Sequence, residues 1–212
     1  LADHLPDQFQ IISLALPDFS QPNWLEQMAV KIPANSWLCG WSLGGMLACQ
    51  LTSQPSLGCQ GLITLASNPC FVQQSGWTHA MAPDTFKHFA QSMNAQPEST
   101  KKQFCLLCSQ GDPQHRTLAR QLQGYMLEHT DSSGLDQLAC MDNRQQISQL
   151  TLPQLHIFAQ QDGLVPSAAA QALQQLNPAA QVQQHTGSHA FVITHAHSLA
   201  QSIQSFIGTT HA

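Results

Sequence analysis

Residues 37–51 read Trp37-Leu38-Cys39-Gly40-Trp41-Ser42-Leu43-Gly44-Gly45-Met46-Leu47-Ala48-Cys49-Gln50-Leu51. An apolar, strand-like run meets a G-x-S-x-G pentapeptide, and a helix-like run follows. That is the setting of a nucleophile elbow, where a strained serine stands at the apex of a strand-to-helix turn. Gly40 and Gly44 are expected to let strand and helix approach closely, because neither carries a Cβ. The plainer alternative is a glycine-rich helix start with Ser42 as its cap.

Outward from this stretch, buried strands are expected at residues 10–16 (QIISLAL), 36–40, 61–66 and 155–159, with a weaker one at 181–185. Helical patterns fall at 24–31, 43–54, 166–176 and 196–207. Strands alternating with helices predict an α/β fold, a mostly parallel sheet with helices on both faces. Residues 70–150 break the alternation with helical patterns alone, the layout of a lid over an active site. The division expected is core at 1–69, helical lid at 70–150 and core again at 151–212. Residues 1–6 resemble a helix end directly before a buried strand. Strands preceding residue 10 are therefore expected to be missing from this sequence.

The chain has 212 residues, 42% of them hydrophobic, enough for one sizeable core. Only 9% are charged and the formal net charge is -5, which argues against nucleic-acid binding. No apolar run is long enough to span a membrane, and the first residues show no signal-peptide pattern. The seven cysteines are odd in number and mostly sit in apolar runs, so they read as reduced residues of a cytoplasmic protein. Cys105 and Cys108 form a lone C-x-x-C, read as helix packing, because two thiols do not complete a zinc site. The 11 histidines are scattered without an H-E-x-x-H pattern, and no metal is expected.

A serine hydroxyl needs a base within hydrogen-bond reach and a third group that orients the base. Asp162 follows the strand at 155–159, within Gln161-Asp162-Gly163-Leu164-Val165-Pro166. His189 follows the last strand, within Gly187-Ser188-His189-Ala190-Phe191. Each alone has a bland reading, as a turn residue or a surface histidine. Together they give serine, acid, histidine, each after a strand, where ligands bind in open α/β sheets. His185, His195 and His197 compete for the base role but lie within a strand or helix. The Leu43 amide, at the helix start, supplies one oxyanion donor.

GWSLGG, LASNPCF (65–71), QDGLVP (161–166) and GSHAFVITH (187–195) together resemble the α/β-hydrolase superfamily, and within it the pimeloyl-(acyl-carrier protein) methyl ester esterases of biotin synthesis. The resemblance runs from about residue 9 to 207 and puts the family's triad on Ser42, Asp162 and His189. It implies a substrate pocket at Trp41 and Leu43, with a lid segment Phe104-Cys105-Leu106-Leu107-Cys108. It implies methyl ester hydrolysis without a cofactor, and an acyl carrier protein as partner. The family's first strands and its His-Gly-Trp oxyanion loop have no counterpart here. A broad short-chain carboxylesterase or thioesterase, and a non-catalytic carrier-binding module, are the competing readings. Charge patterning points toward the carrier independently. Five of the seven basic residues lie between 87 and 120, a window of balance +3 on a body of -8. Lys101, Lys102, Arg116 and Arg120 are the candidates for docking an acidic carrier protein. The enzyme is expected to be a monomer, with no nucleic-acid or membrane partner.

Overall fold

The structure, a computed structural model, describes residues 1–125 and 133–210. In chain order the elements are α1 (Trp24–Ala29), β1 (Trp37–Trp41), α2 (Leu43–Thr52), β2 (Gly61–Leu65), α3 (Pro83–Ala95), α4 (Pro97–Ser109), α5 (His115–Tyr125), α6 (Ser133–Cys140), α7 (Arg144–Gln149), β3 (Gln154–Ala159), α8 (Ala169–Leu176), β4 (Gln181–His185), α9 (Phe191–Thr194) and α10 (Ala196–Thr210). The sheet order is β1-β2-β3-β4, and all three pairings are parallel.

β2 and β3 are buried at every position, as central strands covered on both faces must be. Their side chains alternate between two cores. Leu62 and Phe158 face Met46 and Leu47 of α2 and Leu173 of α8. Ile63, Leu65, Leu155 and Ile157 face Leu199, Ile203 and Phe206 of α10. On the α2 face, Thr64 and His156 are register partners. His156 is fully buried, with Nδ1 2.7 Å from Thr64 Oγ1 and Nε2 3.1 Å from Gln154 Oε1. Gln154 Nε2 in turn donates to the carbonyls of Ile147 and Leu150. Burial holds the imidazole neutral and pushes its pKa down to about 3.

Among the described residues between β2 and β3 the regular elements are helical, α3 to α7. The part of the expected lid at 126–132 lies outside the described residues. α4 packs on both α3 and α5, whereas α7 packs on α2 and α8. No helix of the described residues is long and apolar enough to cross a membrane.

Residues 10–16 correct the expectation of a buried strand. They form no strand and are exposed throughout, Ile12 at 48% and Leu16 at 58%. Ile11, Ile12 and Leu14 line one side of an apolar cleft whose other side includes Trp37, Leu38 and Cys39 of β1. The run has strand composition but no hydrogen-bonded neighbour, and a strand exists only in a ladder.

The glycines of the β1–α2 turn also depart from expectation. A Cβ on Gly40 would lie 2.1 Å from the Gly44 carbonyl oxygen, so close approach is real there. A Cβ on Gly44 would meet open space, whereas one on Gly45 would lie 2.6 Å from Ser67 Cβ. The second close approach therefore belongs to Gly45, where α2 crosses the end of β2.

Candidate active site

Ser42 occupies the single residue between β1 and α2, with φ 55° and ψ -122°. A non-glycine residue held there stores about 1–3 kcal/mol of strain. The cap reading of Ser42 fails, because its side chain makes no cap hydrogen bond. Its N–H instead continues the sheet ladder to the Leu65 carbonyl, at 2.9 Å, which fixes the turn to β2.

Ser42 Oγ lies 2.9 Å from His189 Nε2. His189 Nδ1 lies 2.8 Å from Asp162 Oδ2. The Asp162 side chain is fully buried, and its other oxygen accepts from the amides of Leu164 and Val165 at 2.8 and 2.9 Å. One Asp162 oxygen thus holds the turn while the other meets His189. An ionised carboxylate only accepts, so the Nδ1 proton belongs to this pair and Nε2 is left to receive the hydroxyl proton. The two loops that carry acid and base are joined. Gln161 N–H donates to the Gly187 carbonyl at 3.0 Å, and Gly187 N–H to Gln161 Oε1 at 2.7 Å.

The competing histidines are engaged elsewhere. His185 has Nδ1 2.7 Å from the Thr186 carbonyl and Nε2 3.0 Å from Ser198 Oγ. His195 has Nδ1 2.9 Å from Thr194 Oγ1, and His197 packs edge-on to His4. Among the described residues no three His, Cys, Asp or Glu side chains gather in metal-binding geometry.

Leu43 opens α2, so its N–H has no intrahelical acceptor and points from the positive end of the helix. The Leu43 side chain faces α6 and the loop before α1. A Cβ on Gly134 would lie 3.6 Å from Leu43 Cδ2 and 3.8 Å from Phe19 Cε2. Phe19 packs edge-on to Trp24, centroids 5.3 Å apart. Phe19, Trp24 and Gly134 thus belong to the surroundings of the nucleophile, and the sequence reading missed them. An aromatic pair on either side of Pro22 was the available signal.

Trp41 does more than flank Ser42. Its indole Nε1–H donates to the His189 carbonyl at 2.8 Å, and its ring lies 5.4 Å from the imidazole, centroid to centroid.

The expected lid segment does not act as one lining. Five consecutive helical residues sweep about 400° around the axis. Cys105 and Cys108 point into the core, where burial pushes both thiols up. Phe104 is half-buried and stacks on Phe89 at 5.7 Å. Leu106 and Leu107 are 46% and 37% exposed, and line an outer groove with Gln103, Gln110, Gly111 and His115. The docking candidates divide too. Lys102, Arg116 and Arg120 are exposed. Lys101 is buried, with Nζ 3.1 Å from Glu98, which removes it from a free surface.

Residues 16–196 match the family of the α/β hydrolase fold. The chain is 39% identical, over 92% of its length, to the biotin biosynthesis bifunctional protein BioHC of Cellvibrio japonicus, and covers 40% of that protein. It is 35% identical, over 89% of its length, to the pimeloyl-(acyl-carrier protein) methyl ester esterase of Xylella fastidiosa strain M12, covering 76% of it. The bromoperoxidase of Bacillus anthracis superposes with a TM-score of 0.76 over 92% of this chain and 77% of its own, at 14% identity, a likeness of fold alone. The chain therefore spans about 40% of the bifunctional relatives and three quarters of the single-function esterase. With its serine raised on a strained elbow and its acid and base delivered by later strands, the chain belongs to the α/β-hydrolase fold family, in the branch that holds the pimeloyl-(acyl-carrier protein) methyl ester esterases.

Proposed function

We propose that this chain is a serine carboxylesterase that hydrolyses the methyl ester of a pimeloyl group carried on an acyl carrier protein, a step of biotin synthesis. The observation that carries the reaction class is the unbroken path from Ser42 Oγ through His189 to Asp162, with links of 2.9 and 2.8 Å. The substrate class is supported by the 35% identity to the esterase of Xylella fastidiosa strain M12.

In the reaction, Ser42 Oγ attacks the ester carbonyl while its proton passes to His189 Nε2. Asp162 stabilises the imidazolium and does not itself take the proton. The Leu43 amide donates to the tetrahedral oxyanion. Collapse expels methanol, protonated by His189, and leaves the acyl chain esterified to Ser42. A water, deprotonated by the same imidazole, then frees the carboxylic acid. No residue in this sequence of steps calls for a cofactor.

Lys102, Arg116 and Arg120 supply the face for an acidic carrier, on α4 and α5. Their contribution is steering and register, and falls with salt. The seven free cysteines suit a reducing, cytoplasmic setting, in which the enzyme works as a monomer.

The test uses the full chain with the methyl-pimeloyl carrier protein and with 4-nitrophenyl acetate. Ser42→Ala is expected to abolish both activities, by at least about 10⁴-fold. Reversing Arg116 and Arg120 to Glu is expected to raise KM for the carrier substrate and spare the small ester. Equal effects on both substrates would favour the broad short-chain esterase. Carrier binding without any Ser42-dependent hydrolysis would favour the binding module.

A further inference from the structure

The peptide unit that follows the base is held at both of its polar ends. The His189 carbonyl accepts from Trp41 Nε1 at 2.8 Å. The Ala190 N–H of the same unit donates to the Cys108 carbonyl at 2.9 Å. One contact comes from the strand that carries the nucleophile and the other from the last turn of α4. The last four carbonyls of a helix have no intrahelical donor, so the Cys108 oxygen is available for this bond. His189 and Ala190 are completely buried, and an unsatisfied amide or carbonyl there would be costly.

The same end of α4 also abuts the acid loop. A Cβ on Gly163 would lie 3.3 Å from the Leu107 carbonyl, and one on Gly111 would lie 2.5 Å from Gln161 Cβ. α4 thus ends against the residues on both sides of Asp162 and against the residue after His189.

We propose that Trp41 is a positioning residue for the base: its indole N–H and the Cys108 carbonyl grip the His189–Ala190 peptide and so hold the imidazole between Asp162 and Ser42. The proposal rests on the esterase reading only for its effect on rate. Positioning itself is a statement about geometry. The Trp41 ring packs against both cores, and the donor has a separate task. That task explains why tryptophan, with one donor at the far edge of a large ring, stands beside the nucleophile. Phenylalanine fills similar space without the donor.

The experiment removes the N–H and keeps the ring. Trp41→Phe is made by ordinary mutagenesis. Replacement of Trp41 by benzothienylalanine, where sulfur stands in for N–H, keeps the bicyclic shape. Replacement by 5-fluorotryptophan keeps the donor. Three quantities are read on the full chain: the rate at which a small fluorophosphonate derivatises Ser42, kcat and KM for 4-nitrophenyl acetate, and the low-field proton resonance of His189 Nδ1–H. Loss of the donor is expected to lower the fluorophosphonate rate and kcat by about 10- to 100-fold, the scale of small misplacements in a reacting pair. KM is expected to stay within about twofold, and the His189 resonance to shift or broaden. The 5-fluorotryptophan protein is expected to match wild type.

Unchanged rates and an unchanged resonance in the benzothienylalanine protein would overturn the proposal. If Trp41→Phe unfolds, the isosteric replacement decides. If wild type shows the His189 resonance but hydrolyses no ester, the esterase reading falls, and the resonance alone judges the positioning role.

Discussion

Two stretches of this chain have nearly the same chemistry and opposite fates. Residues 10–16, QIISLAL, and β3, QLHIFA, each follow a glutamine with a mainly apolar run. In β3, Leu155, Ile157 and Phe158 are at most 1% exposed, between β2 and β4. In residues 10–16, Ile11, Ile12, Leu14 and Leu16 are 37% to 58% exposed. Composition makes a strand possible, but only a neighbouring backbone makes it exist. β3 has its ladder filled on both sides, and helices cover both faces. Residues 10–16 face the outer side of β1 across a cleft. The proposed catalytic groups all stand on the satisfied side of this contrast. Ser42 ends β1 with its amide bonded to β2, Asp162 follows β3 and His189 follows β4.

The contrast breaks most sharply at the turn between β1 and α2. Gly40→Ala places a Cβ 2.1 Å from a backbone oxygen, and no side-chain rotation relieves that. Strand and helix must separate, which tilts Ser42 away from His189. The expected result is at least a 100-fold loss of ester hydrolysis, with roughly 3 kcal/mol or more of lost stability by urea titration. Gly44→Ala, two residues past the nucleophile, meets open space and is expected to change stability by about 1 kcal/mol at most, in the favourable direction. If both variants behave alike, the close approach at Gly40 is not what shapes the elbow.

A smaller effect comes from His156, which exists as a buried neutral imidazole only because β3 is enclosed. Its folded pKa, about 3, is below its ordinary 6.5. Between these values the unfolded chain binds a proton that the folded chain refuses, so stability falls as pH falls from 6.5 toward 3. Above 6.5 the residue contributes no slope. The slope is at most about 1.4 kcal/mol per pH unit, or about 2 kcal/mol by pH 5. Urea midpoints measured from pH 7.5 to 4.5 test this against His156→Gln, which is expected to be flatter across that range though less stable at neutral pH. A His156→Gln protein with the wild-type slope would place the acid sensitivity elsewhere.

The site was legible to different depths for physical reasons. The placement of Ser42, Asp162 and His189 could be read because a strand-to-helix elbow demands glycine at one fixed offset and because parallel strands deliver loops to one edge. β2 and β3 could be read because buried central parallel strands are mainly apolar runs, whereas β4, QVQQH, is only partly buried and left a weaker signal. Residues 10–16 misled because the pattern carries no information about a partner. Lys101 misled because its i−3 neighbour Glu98 pairs with it, turning a surface charge into a packed one. The resemblance aligns Phe104, Leu106 and Leu107 as one segment, while α4 distributes that segment around its axis. The bond from Trp41 to the His189 carbonyl crosses 148 residues, and no local pattern encodes it.

The smallest effect expected is also the one that bears most directly on the comparison. Leu16→Ser removes an aliphatic side chain that already meets water over more than half its surface. Little apolar area is lost from burial, so the change in urea stability is expected within about 0.5 kcal/mol. Leu155→Ala in β3 deletes a fully buried side chain between α10 and the sheet, and is expected to cost about 2–5 kcal/mol. Sequence alone ranks these two leucines together, since each sits in a strand-like run. Burial separates them by several-fold. A Leu16→Ser cost that approached the Leu155→Ala cost would mean that residues 10–16 are packed against something in solution. The outer side of β1 would then be as closed as the side that holds the triad, and the contrast between the two runs would dissolve.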